Sequence, residues 1–412
     1  MSIEGLGQHG CHPFFGVAGD CLTISGESLV DLAARAGRTP FYVYATQYMS
    51  ERVAHLRRTL PREVHIHYAM KANPMPAIVR HMASRVDGLD VASGLELRTA
   101  LAAGAAPEQI SFAGPGKSND ELEYAATCGI VLNVESEGEI ARLTAIARRI
   151  GTRPRIAIRV NPDFELKTSG MKMGGGPKQF GIDAERVPQV LADLRGAPLE
   201  FVGFHIYSGS QNLRSEAIVE AQQKSVALAA RLAADAPSPV RVLNIGGGFG
   251  IPYFPGERPL DLEPIAAAMR DVVADTKRQM PDAQVVIELG RYLVGEAGLY
   301  VCRILDRKIS RGHVFLITDG GLHHHLAASG NFGQVIRKNY PVVIGNRMQG
   351  TERETVSVVG PLCTPLDLLA DRMELPRADE GDLVVVLQSG AYGFTASPQG
   401  FLSHPPPLEL VV

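Results

Sequence analysis

Between about residues 64 and 291 the chain alternates short apolar runs with helical stretches, and this rhythm constrains the fold more than any other feature. The runs are VHIHYAMK, GLDVAS, ISFAGP, IVLNVES, RIAIRVNP, FVGFHIYSG, VRVLNIGGG and VVIELGR. Strands separated by helix-length segments are the signature of parallel α/β architecture, because a parallel pair needs a crossover connection. Between the fourth and fifth runs, Ile140, Leu143, Ala147 and Ile150 recur at helical spacing, so one apolar face can lie against a sheet. Eight such units in about 230 residues match a (β/α)8 barrel. A doubly wound sheet is the alternative, but the early GxGxxG turn expected of it is missing.

After residue 300 the pattern turns to strand-rich segments such as VCRILDRKIS, VFLITDGG, ETVSVVGPLC and LVVVLQSGAYGF, which read as a separate β-barrel or β-sandwich domain. The opening segments PFFGVAGDCLTISG and TPFYVY precede the first barrel unit and are expected to contribute a strand and a helix to it. The glycine-rich TSGMKMGGGPKQFG, residues 168 to 181, reads as a flap or a long surface turn.

Charge and composition narrow the function classes. With 41 basic and 44 acidic residues the net charge is −3, and no basic stripe suits nucleic acid or a membrane surface. No apolar stretch reaches the roughly 18 residues of a membrane helix. The five cysteines (Cys11, Cys21, Cys128, Cys302, Cys363) lack CxxC spacing and follow no secretory leader, so a reducing cytoplasm is expected. Four of them read as buried small hydrophobes; Cys363 is treated below.

In a barrel the C-terminal ends of the strands converge on one mouth. That rule collects Lys71, Asp90, Ser93, Asn133, Arg159, His205, Ser208, Gly246, Gly247, Gly248, Glu288 and Arg291. IGGGFG after the seventh run suits a phosphate cradle, since glycines let backbone N–H groups approach an anion. A lysine with such a cradle, a carboxylate and a histidine suits pyridoxal 5'-phosphate, whose aldehyde needs an amine and whose ring nitrogen needs a partner. An acidic partner keeps that nitrogen protonated and strengthens the electron sink. The run His323 to His325 is read as extended; adjacent histidines there would point to alternate faces without the i, i+4 spacing of helical zinc sites, so no metal is expected.

Taken in order, HYAMKANP, LDVAS, RVNP, FHIYSGS, NIGGGFG, ELGR, GPLCTPLD and GAYGF resemble the fold type III pyridoxal phosphate decarboxylases, the diaminopimelate and ornithine/arginine decarboxylase group. HPFFGVAGD, KMGGGPKQFG and HHHLAASGNFGQVIRKNYP are similar, more narrowly, to the exosortase-associated pyridoxal decarboxylases and the glutamyl-carrier-protein decarboxylase type. The resemblance implies an alanine-racemase-like barrel over 46–295, with 1–45 and 296–412 forming a β domain that completes the active site of a homodimer. It implies Lys71 as the cofactor's covalent amine, His205 against the ring face, and Glu288 at the ring nitrogen. Ser208, Gly246, Gly247, Gly248, Arg291 and Tyr392 would hold the phosphate, Leu289 and Gly290 would also bind the cofactor, and Asp90 would sit near Lys71 or the ring. Cys363, from the partner's β domain, would return a proton to the α-carbon after CO2 leaves, and Arg291, Thr364 and Tyr392 would meet substrate.

The departures bear on substrate. The family's EPGR is ELGR here, and the acidic residue that follows the proton-donor cysteine in the diaminopimelate and ornithine enzymes is Thr364. A neutral residue suits a substrate whose far end is uncharged or extends out of the site, such as an aminoacyl group on a carrier protein. Diaminopimelate decarboxylation, a racemase-like activity and a non-catalytic cofactor-binding protein are the alternatives. Glu288 and Cys363 argue against a racemase, and the β domain argues against the single-barrel binding proteins.

Overall fold

The computed structural model describes residues 15–165, 171–172, 174–332, 334 and 337–412. The chain divides into two compact units, one of 52–251 with 259–292, the other of 1–51, 252–258 and 293–412.

The first unit is a closed barrel of eight parallel strands: β1 His65–Ala69, β2 Gly88–Val91, β3 Ile110–Phe112, β4 Val131–Val134, β5 Arg155–Asn161, β6 Glu200–Ile206, β7 Val242–Gly247 and β8 Gln284–Leu289. Each pairs with the next, and β8 returns to β1 through Ile287 opposite Ile66 and Glu288 opposite His67. All eight runs predicted from sequence are these strands. They are apolar because helices cover one face and barrel packing fills the other. The helices start on sequence-encoded caps: Ser93, Ser118 and Ser136 each accept a backbone N–H from the third helical residue. Ser93 therefore caps a helix. On the predicted helix Glu137–Ile150, Leu143, Ile146 and Ala147 are buried, while Ile140 and Ile150 are half-buried at its edges.

The second unit is a mixed sheet. Its long strand β9, Gly298–Ser310, runs antiparallel both to Leu383–Val386 and to His313–Thr318, and the sheet continues through Arg353–Val359 to Leu368–Pro376. TPFYVY does not join the barrel. Phe41–Tyr44 pairs antiparallel with Gly298–Val301 and parallel with Leu408–Val411, and all four of its residues are buried. An all-apolar strand needs a sheet covered on both faces, and here the long-range partner at the chain's end decided which sheet.

His323, His324 and His325 occupy a turn, not an extended segment, and all three are buried. The His323 and His324 rings lie 3.6 Å apart, so the two do not face opposite ways. Of the cysteines outside the active-site proposal, Cys302 is buried as expected, but Cys21 and Cys128 are half-exposed; Cys11 lies outside the described residues. Part of the glycine-rich loop also lies outside them, whereas Met171–Lys172 pairs with Gly209–Ser210 and Asn161 bonds both Gly175 N and Gly176 O. Among the described residues no helix is long and apolar enough to cross a membrane.

Candidate active site

Each barrel strand carries one polar residue inside its apolar run: His67, Asp90, Ser111, Asn133, Arg159, His205, Asn244 and Glu288. Strand register sets four neighbouring pairs level and steps the other four by two residues. Asp90 stands opposite Ser111, Arg159 opposite His205, His205 opposite Asn244, and Glu288 opposite His67. Hydrogen bonds then link one side of the belt, from His67 Nδ1 to Asp90 Oδ1 (3.0 Å), Ser111 Oγ to the same oxygen (2.5 Å), and Asn133 Nδ2 to Ser111 Oγ (3.2 Å). Buried polar groups are retained when they satisfy one another, and this belt does so except where it faces the mouth. His67, Ser111 and Asn244 escaped the sequence reading. The signal was present, since a lone polar residue inside an apolar barrel strand points into the same interior layer.

On the other side of the belt sits Glu288. Its Oε2 accepts from Asn244 Nδ2 (3.1 Å) and lies 3.0 Å from His205 Nε2, without hydrogen-bond alignment to that ring. Burial pushes this carboxyl up, but the charges of His205, Lys71 and Arg159 more than offset it and hold the pKa far below the usual carboxylate range. Glu288 is thus a buried, permanently ionised acceptor. Burial likewise pushes His67 down, yet the adjoining Asp90 carboxylate raises it overall.

Lys71 is not at the inner end of a buried strand. It sits two residues past the end of β1, on the 3-10 turn Met70–Ala72, and it is exposed. The turn is locked by Asn73 N to Met70 O (3.0 Å), Tyr68 Oη to Asn73 O (2.8 Å), and Asn73 Oδ1 accepting from Met75 N (3.2 Å). The Asn-Pro stop thus lifts the ammonium out of the strand, 5.9 Å from the centre of the Tyr207 ring. Gly290 lets the next turn approach: a Cβ there would stand 3.0 Å from both Ala69 O and Ala72 Cβ. Leu289 ends β8 in the core, and Arg291 opens the short helix Arg291–Val294.

The glycine turn is a cradle that no other residue type fits. Gly246 and Gly248 have φ of 71° and 72°, a Cβ at Gly247 would fall 2.1 Å from Glu288 O, and one at Gly248 would fall 2.2 Å from Gly209 O. Asn244 Oδ1 accepts from Gly246 N (2.8 Å), fixing the turn to the residue that also holds Glu288. Beside it the Ser208 hydroxyl is buried, with no hydrogen-bond partner among the described residues. A glycine cradle, an orphaned hydroxyl and an ionised carboxylate one strand away fit a cofactor with a phosphate at one end and a protonated ring nitrogen at the other.

Cys363, Thr364 and Tyr392 lie in the sheet unit. Cys363 is exposed, and its loop is organised by Asp367, which accepts from Leu322 N (2.6 Å) and Leu362 N (2.8 Å). Thr364 N donates to Leu362 O (2.8 Å) and its hydroxyl accepts from Leu366 N (3.3 Å). Tyr392 holds a φ of 58°, a conformation a bulky residue adopts only under structural constraint. A last pair lies under the β3 and β4 ends: Lys117 Nζ donates to Glu139 Oε1 (2.8 Å), Asn133 O (2.8 Å) and Gly114 O (2.7 Å), almost wholly buried.

A parallel barrel with a lysine at its mouth, a glycine turn open enough for a phosphate and a buried carboxylate suits a pyridoxal phosphate enzyme. The model of the pyridoxal-dependent decarboxylases' pyridoxal-binding domain matches residues 46–295. Over 379 residues the chain is 38% identical to the L-glutamyl-[BtrI acyl-carrier protein] decarboxylase of Niallia circulans, covering 90% of this chain and 88% of that protein. It is 35% identical to the diaminopimelate decarboxylase of Aquifex aeolicus, covering 91% and 87%. The crystal structure of Helicobacter pylori diaminopimelate decarboxylase complexed with L-lysine superposes with a TM-score of 0.82 at 30% identity, over 93% of this chain and 94% of that one. The chain belongs to the pyridoxal-dependent decarboxylases, and pyridoxal phosphate is its cofactor.

Proposed function

We propose that this decarboxylase acts on an aminoacyl group carried by a carrier protein and releases CO2 from the group's α-carbon. Thr364, a neutral residue beside the exposed Cys363, is the observation that carries this reading. A distal charge on a free diamino acid would find no counter-charge from that residue, and an unpaired charge in a desolvated site is strongly disfavoured. The similarity to a glutamyl-carrier-protein decarboxylase supports the same substrate class.

The chain's residues have separable tasks in this reading. The bound cofactor supplies a conjugated ring that accepts the electron pair left when CO2 departs. Lys71 would contribute the amine that holds the cofactor's aldehyde. Its exposure on a turn leaves it room to move. Glu288, ionised at every working pH, holds a proton on the ring nitrogen, and His205 covers a ring face. Ser208 and the Gly246–Gly248 turn bind the phosphate, with Gly290, Arg291 and Tyr392 on the same side. Asp90, fixed by His67 and Ser111, steadies the ring side of the belt. The Cys363 thiol returns a proton to the α-carbon, and Thr364 with Arg291 and Tyr392 meets the substrate. Cys363 reaches the site from the sheet unit of a second copy, so the working form is a cytoplasmic homodimer with 46–295 as cofactor barrel and the remainder as β domain.

The test measures CO2 release from free amino acids and from aminoacyl-carrier proteins, with mass detection of the decarboxylated product. Turnover only of the tethered substrate is expected. Turnover of free diaminopimelate at ordinary enzyme rates would sink the proposal and favour the lysine-biosynthetic reading.

A further inference from the structure

Behind the glycine turn lies a small cavity lined by Ser208, Gly247 and Gly248 on one side and by Ala217, Ala221 and Gln222 of the helix Ser215–Ala233 on the other. Gln222 is 2% exposed, and among the described residues neither its Nε2 nor its Oε1 has a hydrogen-bond partner. The Ser208 hydroxyl, in the same cavity, is equally orphaned. Burying a carboxamide with both ends unsatisfied is unfavourable by a few kcal/mol, so a buried glutamine is retained on this helix only if something polar meets it. The rest of the helix lining the cavity is Ala217, Ile218 and Ala221, which offer it nothing.

We propose that Gln222 is a further phosphate-side residue of the cofactor site, its Nε2–H donating to a phosphate oxygen held from the opposite side by Ser208 and the Gly247–Gly248 backbone. This rests on the assignment of that turn to the phosphate. The glycines admit the anion from the mouth, and Gln222 closes the cavity from behind, where a cation would over-bind and an apolar residue would leave an oxygen unpaired. A neutral donor of fixed length also selects for the phosphate's position along the cavity, separating phosphorylated from unphosphorylated cofactor.

The test strips the cofactor from the wild type and from Gln222→Leu, Gln222→Glu and Ser208→Ala, then titrates each with pyridoxal phosphate and with pyridoxal, following cofactor absorbance. Loss of one charge-assisted hydrogen bond is expected to weaken pyridoxal phosphate by about tenfold in Gln222→Leu. Gln222→Glu should weaken it further by repulsion, with pyridoxal within about twofold of wild type in both variants. Thermal melting of the stripped proteins monitors folding, and pyridoxal binding serves as the internal control for any loss of fold. If both ligands weaken equally, or neither changes in the Gln222 variants while Ser208→Ala still discriminates against the phosphate, Gln222 is not a phosphate residue although the turn is. If Ser208→Ala does not discriminate either, the phosphate assignment of the turn fails with it.

Discussion

His205 Nε2 and Glu288 Oε2 lie 3.0 Å apart across the strand that carries Asn244, which donates to the same carboxylate oxygen. Two side chains from non-adjacent strands thus meet at one buried carboxylate, whose pKa is held low against burial by its neighbours His205, Lys71 and Arg159.

Replacing that charge tests its role. Glu288→Gln keeps shape but removes the ionised group proposed to partner the ring nitrogen. The variant should bind cofactor, seen in its visible absorbance, while kcat falls on the order of a hundredfold or more. Because the Glu288 pKa lies far below the working range, the wild-type pH profile near neutrality should show no limb from this group.

Lys71→Ala and Cys363→Ala should separate binding from turnover. The first is expected to abolish the absorbance of covalently held cofactor and to lower the rate by at least about a hundredfold. The second should retain that absorbance while product formation collapses. Equal retention of activity in Cys363→Ala would move the proton donor elsewhere.

The Lys117–Glu139 pair makes a stability prediction. Lys117→Met would leave Glu139 buried and uncompensated, which destabilises by about 3–5 kcal/mol. The double variant Lys117→Met with Glu139→Leu should recover most of that loss in denaturant melts, since it leaves no unpaired charge.

Acid should weaken the sheet unit. Burial lowers His323 to about 3, His324 to about 4 and His325 to about 3, from an ordinary 6.5. A histidine lowered in the folded state takes up its proton more readily when unfolded, so its contribution is intact above pH 6.5 and is lost as pH falls toward 4 and 3. Each contributes a slope of about 1.4 kcal/mol per pH unit within that window. Asp319 and Asp367, raised by burial, act in the opposite sense at the acid end. Melting temperature should therefore fall between pH 6.5 and 4, and His325→Phe should flatten the decline.

Much of the site was legible because a barrel turns local pattern into position. Any residue at the C-terminal end of a strand reaches the mouth, so Lys71, Ser208, Gly246–Gly248 and Glu288 could be collected from the linear sequence, whatever the helices between them did. Ser93 satisfied the same rule and turned out to cap a helix, since strand ends are also helix starts. Lys71 was misplaced by one element because a 3-10 turn and a continuing strand have the same apolar neighbours. Asp367 and Gln222 went unread because the one depends on backbone N–H groups at Leu322 and Leu362, and the other on a glycine turn beginning at Gly246.

By itself the sequence determined the eight-strand barrel and the cofactor chemistry, since strand periodicity, serine caps and a glycine-rich turn act over short stretches of chain. Only the tertiary structure decided that Phe41–Tyr44 joins β9 and Leu408–Val411 in the sheet unit. It alone set Lys117 on Glu139 and gathered eight polar residues into one belt. Those outcomes depend on closure and register, which fix which distant groups become neighbours and so which charges and amides find partners.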